Sequence, residues 1–452
     1  MAARSKWFCL ALVVGPVLAP VAVSAQTAPD LNQILARLER LERENRELSE
    51  QVRALQAQVG VSAPPALSQA LPAGETPSTP TIAEKLEIHE QRIEEQAQTK
   101  VEASQKFPIR FAGMALFNSF INSKQSGGTD YPVTAAPTGV GHSGATLRQT
   151  ILGLEFEGPQ AIFGGKVRGS VYMDFASGGA AFNAHLRTAS IEVNWKDRSV
   201  AVGLEKPIFN PREPSSLAQV VVSPLTGAGN LWLWIPQVRA EQELAFTEST
   251  GVRAQFGVVQ TRESGPSLGT GTVEAVRPGA EGRFNFHHIL DADRRLEFAA
   301  GFHASTTHAG GFSIPSNLYS LDWFFNPWKR VEFTGAFYSG QNVAGLGSGT
   351  RQAIVILKTG GRAIGSQGGW GQFTIHTVPR LDVHLFTGQI DDRNADLGPG
   401  LIGKNLLFGG NAYFKVAPNV LVGMEATQTR TMYIGQGVRI NNHYDLALAY
   451  LF

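Results

Sequence analysis

The chain has 452 residues, of which 39 are Lys or Arg, 38 are Asp or Glu, 49 are Gly and one is Cys. A net charge near zero argues against a nucleic-acid-binding protein, and a single cysteine argues against a disulfide framework. The length fits either two or three globular domains or one large barrel.

Residues 1–25 have the pattern of a secretory signal peptide. Arg4 and Lys6 precede an apolar run that ends near Leu18, and Val23-Ser24-Ala25 supply a small-residue cleavage site. The run is too short for a membrane-spanning helix, which needs about 20 residues, so a retained anchor is the weaker alternative. Cleavage would remove the only cysteine, Cys9, and would leave 37 of the 39 basic residues against 38 acidic ones.

Residues 26–59 are predicted to form a self-associating coiled coil, in which the heptad-bearing part, 31–59, would be about 40 Å long at 1.5 Å per residue. Arg37 and Glu42 can pair between parallel helices, and the mixture of Val, Leu and one Asn in the seam favours two strands while leaving three open. A single amphipathic helix packed on its own chain is the alternative. The two heptad series, apolar at eight of nine positions, are Leu31, Leu38, Asn45, Val52 and Val59, and Ile34, Leu41, Leu48 and Leu55.

Two shorter segments follow the coiled coil. Residues 60–81 contain five prolines among Ala, Ser and Thr, which predicts an extended linker. Residues 82–106 predict a short polar helix, in which Leu86 and Ile93 are the regular apolar positions.

From Phe107 to Phe452 the apolar period changes to two. Between Lys166 and Phe175, for example, polar residues alternate with apolar ones, as in a strand with one wet face and one apolar face. No stretch after residue 25 has the roughly 18 consecutive apolar residues of a membrane helix. A membrane protein without such helices must close its sheet, because an open edge leaves backbone groups unpaired in lipid.

Segment 107–452 is therefore predicted to be an all-β transmembrane barrel of about 16 antiparallel strands, preceded by an α-helical coiled-coil stalk. The predicted strands are 107–122, 145–157, 163–176, 185–196, 199–206, 236–247, 251–262, 279–290, 294–306, 316–326, 329–340, 368–378, 380–390, 402–416, 419–431 and 437–452.

The connections between these strands support an outer-membrane barrel, because short turns alternate with longer Gly-rich loops. The short turns are 196–198, 291–294, 326–329, 378–380 and 417–419, and the Gly-rich run 360–371 is interpreted as a mobile loop. The last strand carries Tyr444, Leu446, Leu448, Tyr450 and Phe452 on one face, an ending that resembles the C-terminal insertion signal of outer-membrane proteins. Tryptophans near predicted strand ends are expected at the headgroup level: Trp195, Trp323, Trp328 and Trp370.

The longest connection in the first half of the barrel, 207–235, would be the third external loop. Here the chain resembles the general bacterial porins, in which the third loop folds inward and narrows the pore. The helical extension before the barrel, with Gly203-Leu-Glu205-Lys206 and Ile235-Pro-Gln-Val-Arg239, is similar to the DcaP-like trimeric porins. This resemblance covers nearly the whole mature chain. It implies a homotrimer, whereas the heptads favour a dimer.

An inward third loop would place Arg212 and Glu213 at a pore constriction together with Glu205 and Lys206, where charged side chains set selectivity. The alternative is that Arg212 and Glu213 pair with each other in a solvated turn. Strand parity directs a further set of charged residues to the lumen wall, and their mixed sign favours an ion-pair lattice that braces the wall over a binding site. This set is Lys166, Arg168, Asp174, Arg239, Glu241, Glu243, Arg253, Glu281 and Arg283.

The sequence gives poor signals for catalysis, metals or cofactors, and none of these is expected. His287 and His288 are adjacent and face opposite sides of a strand. The run that starts at Asp392 lacks the Gly and Glu of a calcium loop. The Gly-rich run 360–371 lacks the Lys-Ser/Thr pair of a phosphate-binding loop.

The favoured function is a porin in the bacterial outer membrane that passes small polar solutes, with its stalk in the periplasm. Arg outnumbers Lys 27 to 12, and the guanidinium fork suits carboxylate or phosphate, so anionic solutes are weakly favoured. One alternative is a structural anchor whose stalk contacts the cell wall, and another is a barrel-borne hydrolase. An energised receptor would need about 22 strands and a plug domain.

Overall fold

The computed structural model describes residues 109–177, 183–218, 222–261, 278–309, 311–350, 352–357 and 360–452. The predicted signal peptide, coiled coil, linker and short helix lie outside the described residues. No helix within the described ranges is both long and apolar enough to cross a membrane.

The described residues form nineteen β-strands, of which sixteen correspond to the predicted strands, while His142–Thr146, Ile354–Leu357 and Gly360–Ala363 were not predicted. The strands are β1 (Ile109–Asn122), β2 (His142–Thr146), β3 (Ile151–Gln160), β4 (Lys166–Ser177), β5 (Asn183–Asn194), β6 (Arg198–Glu205), β7 (Ile235–Ala245), β8 (Thr250–Val259), β9 (Gly279–Ile289), β10 (Arg295–Ala309), β11 (Phe312–Trp328), β12 (Val331–Gln341), β13 (Ile354–Leu357), β14 (Gly360–Ala363), β15 (Gly365–Val378), β16 (Leu381–Asp392), β17 (Ile402–Ala417), β18 (Val420–Tyr433) and β19 (Gly437–Leu451).

Seventeen of these strands form one antiparallel sheet that closes on itself, while β13 and β14 form a separate hairpin. Strands β2 and β3 occupy a single position, because β2 pairs with the second half of β1 and β3 with the first half. The other edge of β1 pairs with β19, from Met114 opposite Leu451 to Asn122 opposite His443. The result is the predicted closed barrel of 16 strand positions.

Side chains on the strands alternate between an apolar outer face and an inner face. On β19, Tyr444, Leu446, Leu448 and Tyr450 are 47–53% exposed on the outside. Asp445, which lies between them on the inner face, is 6% exposed. An outer face of this kind is stable against hydrocarbon.

Short connections lie at the end of the barrel where β1 starts and β19 stops. They are 161–165, 195–197, 246–249, 290–294, 329–330, 379–380 and 418–419. The other end carries long connections, which we name loop 1 (123–141), loop 3 (206–234) and loop 6 (342–364).

Two details of the predicted connections are wrong. Strands β10 and β11 extend to Ala309 and from Phe312, so the loop expected at 307–315 is a tight turn in which Gly311 has a φ of +80°. Residues 365–371 belong to β15 rather than to a mobile Gly-rich loop.

The tryptophan prediction was right only in part. Trp328 is 65% exposed next to the 329–330 turn, as expected for the headgroup level. Trp370 is 3% exposed and packs with Leu225 of loop 3 and Leu407 of β17, so it belongs to the interior of the barrel.

Candidate functional site: the loop-lined lumen

Loop 3 lies against the inner wall of the barrel. Phe209, Leu225 and Ala228 of this loop are fully buried. They pack with inward-facing apolar side chains of strands β11 to β17: Leu318, Ala336, Tyr338, Trp370, Phe386, Ile390 and Leu407. This part of the wall is therefore apolar on both faces, and loop 3 covers its inner face.

Glycines in the wall allow this close approach. A Cβ added to Gly388 of β16 would lie 2.2 Å from the carbonyl oxygen of Ala228. A Cβ added to Gly229 of loop 3, which has a φ of +98°, would likewise lie 2.2 Å from the carbonyl oxygen of Gly369 in β15. A side chain at Gly388 or Gly229 would therefore collide with the facing backbone, and loop 3 could not lie this close to β15 and β16.

Polar atoms of loop 3 bond to side chains on strands across the barrel. Backbone N–H and C=O groups that are buried inside a barrel need hydrogen-bond partners. The contacts are Ser215 N to Gln372 Oε1 at 2.7 Å, Asn411 Nδ2 to Ser215 O at 2.9 Å, Ser216 Oγ to Glu425 Oε2 at 2.5 Å, Asn118 Nδ2 to Leu217 O at 2.7 Å and Asn405 Nδ2 to Gly227 O at 2.7 Å.

Arg212 anchors the start of loop 3 to the wall. Its Nε donates to Asp322 Oδ1 and its Nη2 to Glu297 Oε2, both at 2.6 Å. Arg283 of β9 donates to both oxygens of Asp322, each at 2.8 Å. We call these four residues the Arg212 cluster. The side chain of Asp322 is 1% exposed, so two guanidinium groups neutralise a buried carboxylate.

Arg212 and Glu213 do not pair with each other. The carboxylate of Glu213 instead meets Lys206 Nζ at 2.5 Å, and both side chains are about one-quarter to one-third exposed. Arg212 therefore joins loop 3 to the wall, whereas Glu213 pairs within the loop. This geometry differs from the alternative of a mutual pair in a solvated turn.

The predicted wall residues lie mostly in ion pairs of opposite sign. Arg239 contacts Glu205 and Glu241 at 2.7 Å each, and Asp174 contacts Arg187 at 2.9 Å and His185 at 3.1 Å. The remaining ion pairs are Arg253 with Glu243 at 3.1 Å and Arg168 with Glu157 at 3.9 Å. Glu281 is hydrogen-bonded to His303 at 2.9 Å. Lys166 is exposed at the start of β4. Such contacts are the kind that the predicted ion-pair lattice requires, and their bracing role stays a prediction.

Solved structures with the same architecture identify the fold. The outer membrane channel DcaP of Acinetobacter baumannii matches with a TM-score of 0.62 at 15% identity, over 76% of this chain and 97% of that chain. An anion-selective porin from Comamonas acidovorans matches with a TM-score of 0.54 at 12% identity, over 77% and 100%. This chain has the fold of the outer-membrane porins. No protein-family model and no curated protein matches the sequence.

In this porin fold, loops 1 and 6 also have contacts inside the barrel, which the sequence did not predict. In loop 1, Ala135 N donates to Thr431 Oγ1 at 2.7 Å, and Tyr433 donates its hydroxyl to Ala135 O at 2.9 Å. Loop 6 accepts a hydrogen bond from Trp232 N at Gly347 O, at 3.3 Å. For loop 1, the apolar segment Tyr131-Pro-Val133 within a polar loop is a sequence feature that indicates burial.

Within the described residues, no group of three or more His, Cys, Asp or Glu side chains is arranged to hold a metal ion. His287 contacts Glu243 on the inner face at 3.4 Å, whereas His288 bonds to Thr250 at 2.8 Å. The two histidines thus have separate partners, as predicted from their adjacency in a strand.

We expect Arg212→Gln to lower the free energy of unfolding by about 3 kcal/mol, because it leaves buried carboxylates incompletely paired. The matched control is Lys206→Gln, since the Lys206–Glu213 pair is more exposed and should contribute less than about 1 kcal/mol. Urea unfolding of both variants in lipid vesicles measures the difference. Equal losses in the two variants would contradict the anchoring role of Arg212.

Proposed function

We propose that this chain is an outer-membrane porin through which small polar solutes diffuse passively. The observation that carries the proposal is a closed barrel with an apolar outer face and charged inner wall, into which loop 3 folds. A sheet without free edges is stable in lipid, and a lumen of charged side chains is suited to water-filled passage.

We propose further that loop 3 forms the constriction, with Arg212, Glu213, Glu205 and Lys206 along it. The loop bonds to strands β1, β15, β17 and β18, which lie away from its own ends on β6 and β7. A segment attached on several sides is held in a defined position, and this supports a fixed rather than a fluctuating pore diameter.

The proposal extends to anionic solutes, with weak discrimination. Its support is the Arg excess of the sequence and the structural similarity to the anion-selective porin from Comamonas acidovorans. Discrimination should be weak because the lumen arginines, Arg212, Arg239 and Arg283 among them, are paired with carboxylates. Paired charges present little net field to a passing ion.

We further propose a homotrimer in the outer membrane with the N-terminal stalk in the periplasm, on the resemblance of the sequence to DcaP-like porins. The second candidate function is an envelope anchor that contacts the cell wall through the stalk. The heptads of residues 26–59 are the observation that favours it.

Purified full-length protein in a planar bilayer should give stepwise ion conductance, and steps grouped in threes would support the trimer. The matched variant lacks residues 26–106, and its unit conductance should equal that of the full chain because the barrel alone forms the pore. Absence of conductance from folded full-length protein would refute the porin assignment. Loss of conductance in the deletion variant alone would make the N-terminal segment part of the channel.

Reversal potentials in a KCl gradient test the solute charge. We expect a small displacement toward the equilibrium potential of chloride, because the described lumen arginines Arg212, Arg239 and Arg283 are paired with carboxylates. A potential near that of potassium would remove anions from the proposal while leaving the porin assignment intact.

A further inference from the structure

Two buried carboxyl groups meet where the tip of loop 3 contacts the wall. Glu425 of β18 and Asp445 of β19 are directly opposite each other in the ladder, and each residue is 6% exposed. In the described part of the chain, Lys and Arg form no salt bridge with either, and the neighbouring acidic group of each is the other carboxyl. Two adjacent buried carboxylates without a cation repel each other and lack solvation.

Each carboxyl group uses only one of its oxygens. Glu425 Oε2 accepts hydrogen bonds from Ser216 Oγ at 2.5 Å and from Asn411 Nδ2 at 3.0 Å. Asp445 Oδ1 accepts one from Asn118 Nδ2 at 3.0 Å. The second oxygens, Glu425 Oε1 and Asp445 Oδ2, are buried and have no donor, which is unfavourable unless something else binds them.

Two further buried oxygens next to this pair also lack partners. Asn118 is fully buried, and its Nδ2 donates to Asp445 Oδ1 and to Leu217 O. Its Oδ1 accepts no hydrogen bond. Tyr131 of loop 1 is 5% exposed, and its Oη makes no hydrogen bond of normal geometry. The Tyr131 ring packs edge-on against His443 of β19, with 4.8 Å between the ring centroids. The Tyr131 hydroxyl also lies near Glu425, in a contact that does not reach normal hydrogen-bond geometry.

These unsatisfied atoms are all hard oxygen ligands, and two of them belong to carboxylates. Calcium prefers such a set of carboxylate, amide and other oxygens, and tolerates irregular geometry. We propose that Glu425, Asp445, Asn118 and Tyr131 form a binding site for one Ca²⁺ ion. The ion neutralises the carboxyl pair and supplies the partner that each unsatisfied oxygen lacks.

The ion would join both inward loops to the wall. Tyr131 belongs to loop 1, while Ser216 and Leu217 of loop 3 are hydrogen-bonded to Glu425 and Asn118. A cation at this point therefore fixes the tip of loop 3 at the far side of the lumen. The inference does not depend on the proposed transport, because binding is measured without any conductance.

Terbium luminescence tests the site, because Tb³⁺ replaces Ca²⁺ and is sensitised by nearby tyrosine. Full-length protein in detergent, stripped with EDTA, is titrated with TbCl₃ under tyrosine excitation. We expect one sensitised ion per chain, displaced by CaCl₂ and lost in Glu425→Gln/Asp445→Asn. The matched control, Asp291→Asn/Asp293→Asn, neutralises two carboxylates in the exposed 290–294 turn and should keep the signal.

The single variant Glu425→Gln covers the case in which the double variant does not fold, because a Gln oxygen can still accept from Ser216 and Asn411. Folding is checked by heat-modifiable migration in electrophoresis. The signal should be lost or should require much higher TbCl₃ in the folded single variant. No sensitised signal from the unmodified protein, or an unchanged titration in folded Glu425→Gln, would overturn the proposal.

Discussion

The structure depends on closure of the sheet by hydrogen bonds between its first and last strands. The ladder from Met114–Leu451 to Asn122–His443 leaves no free sheet edge. In hydrocarbon, each unpaired backbone group would cost several kcal/mol. Closure therefore makes the apolar outer face compatible with a bilayer, and it creates the enclosed inner face on which the loops pack.

The enclosed space imposes the same requirement on the loops. Backbone groups of loops 1 and 3 find partners in wall amides, since Asn118, Asn405 and Asn411 each donate to a loop carbonyl oxygen. Apolar loop residues find an apolar inner wall that includes Trp370 and Leu407. Gly388 of the wall and Gly229 of loop 3 then permit backbone contact. Loop position is thus determined by wall residues distant in sequence.

The difference between local strand patterns and long-range loop contacts explains which features could be predicted from the sequence. Alternation is local, so all sixteen barrel positions and the outward aromatic face of β19 were predicted. The partner of Arg212 could not be, because Asp322 is 110 residues away in the chain. Gly-rich 365–371 has the composition of a loop, and its place in the wall comes from pairing with β12 and β16. Tyr131 is similar: an aromatic residue within a polar loop is a local sign of burial, but its contact, His443, is distant in the sequence.

Cysteine accessibility in intact outer membranes tests the central claim most directly, since the single cysteine of the sequence is Cys9, within the predicted signal peptide. Arg253 and Phe256 on β8 are matched, because each is about half exposed to a solvent probe while they lie on opposite faces. A charged, membrane-impermeant thiol reagent should modify Arg253→Cys and spare Phe256→Cys until the protein is denatured. Equal reaction at both positions in the membrane would contradict a barrel with lipid outside and water inside.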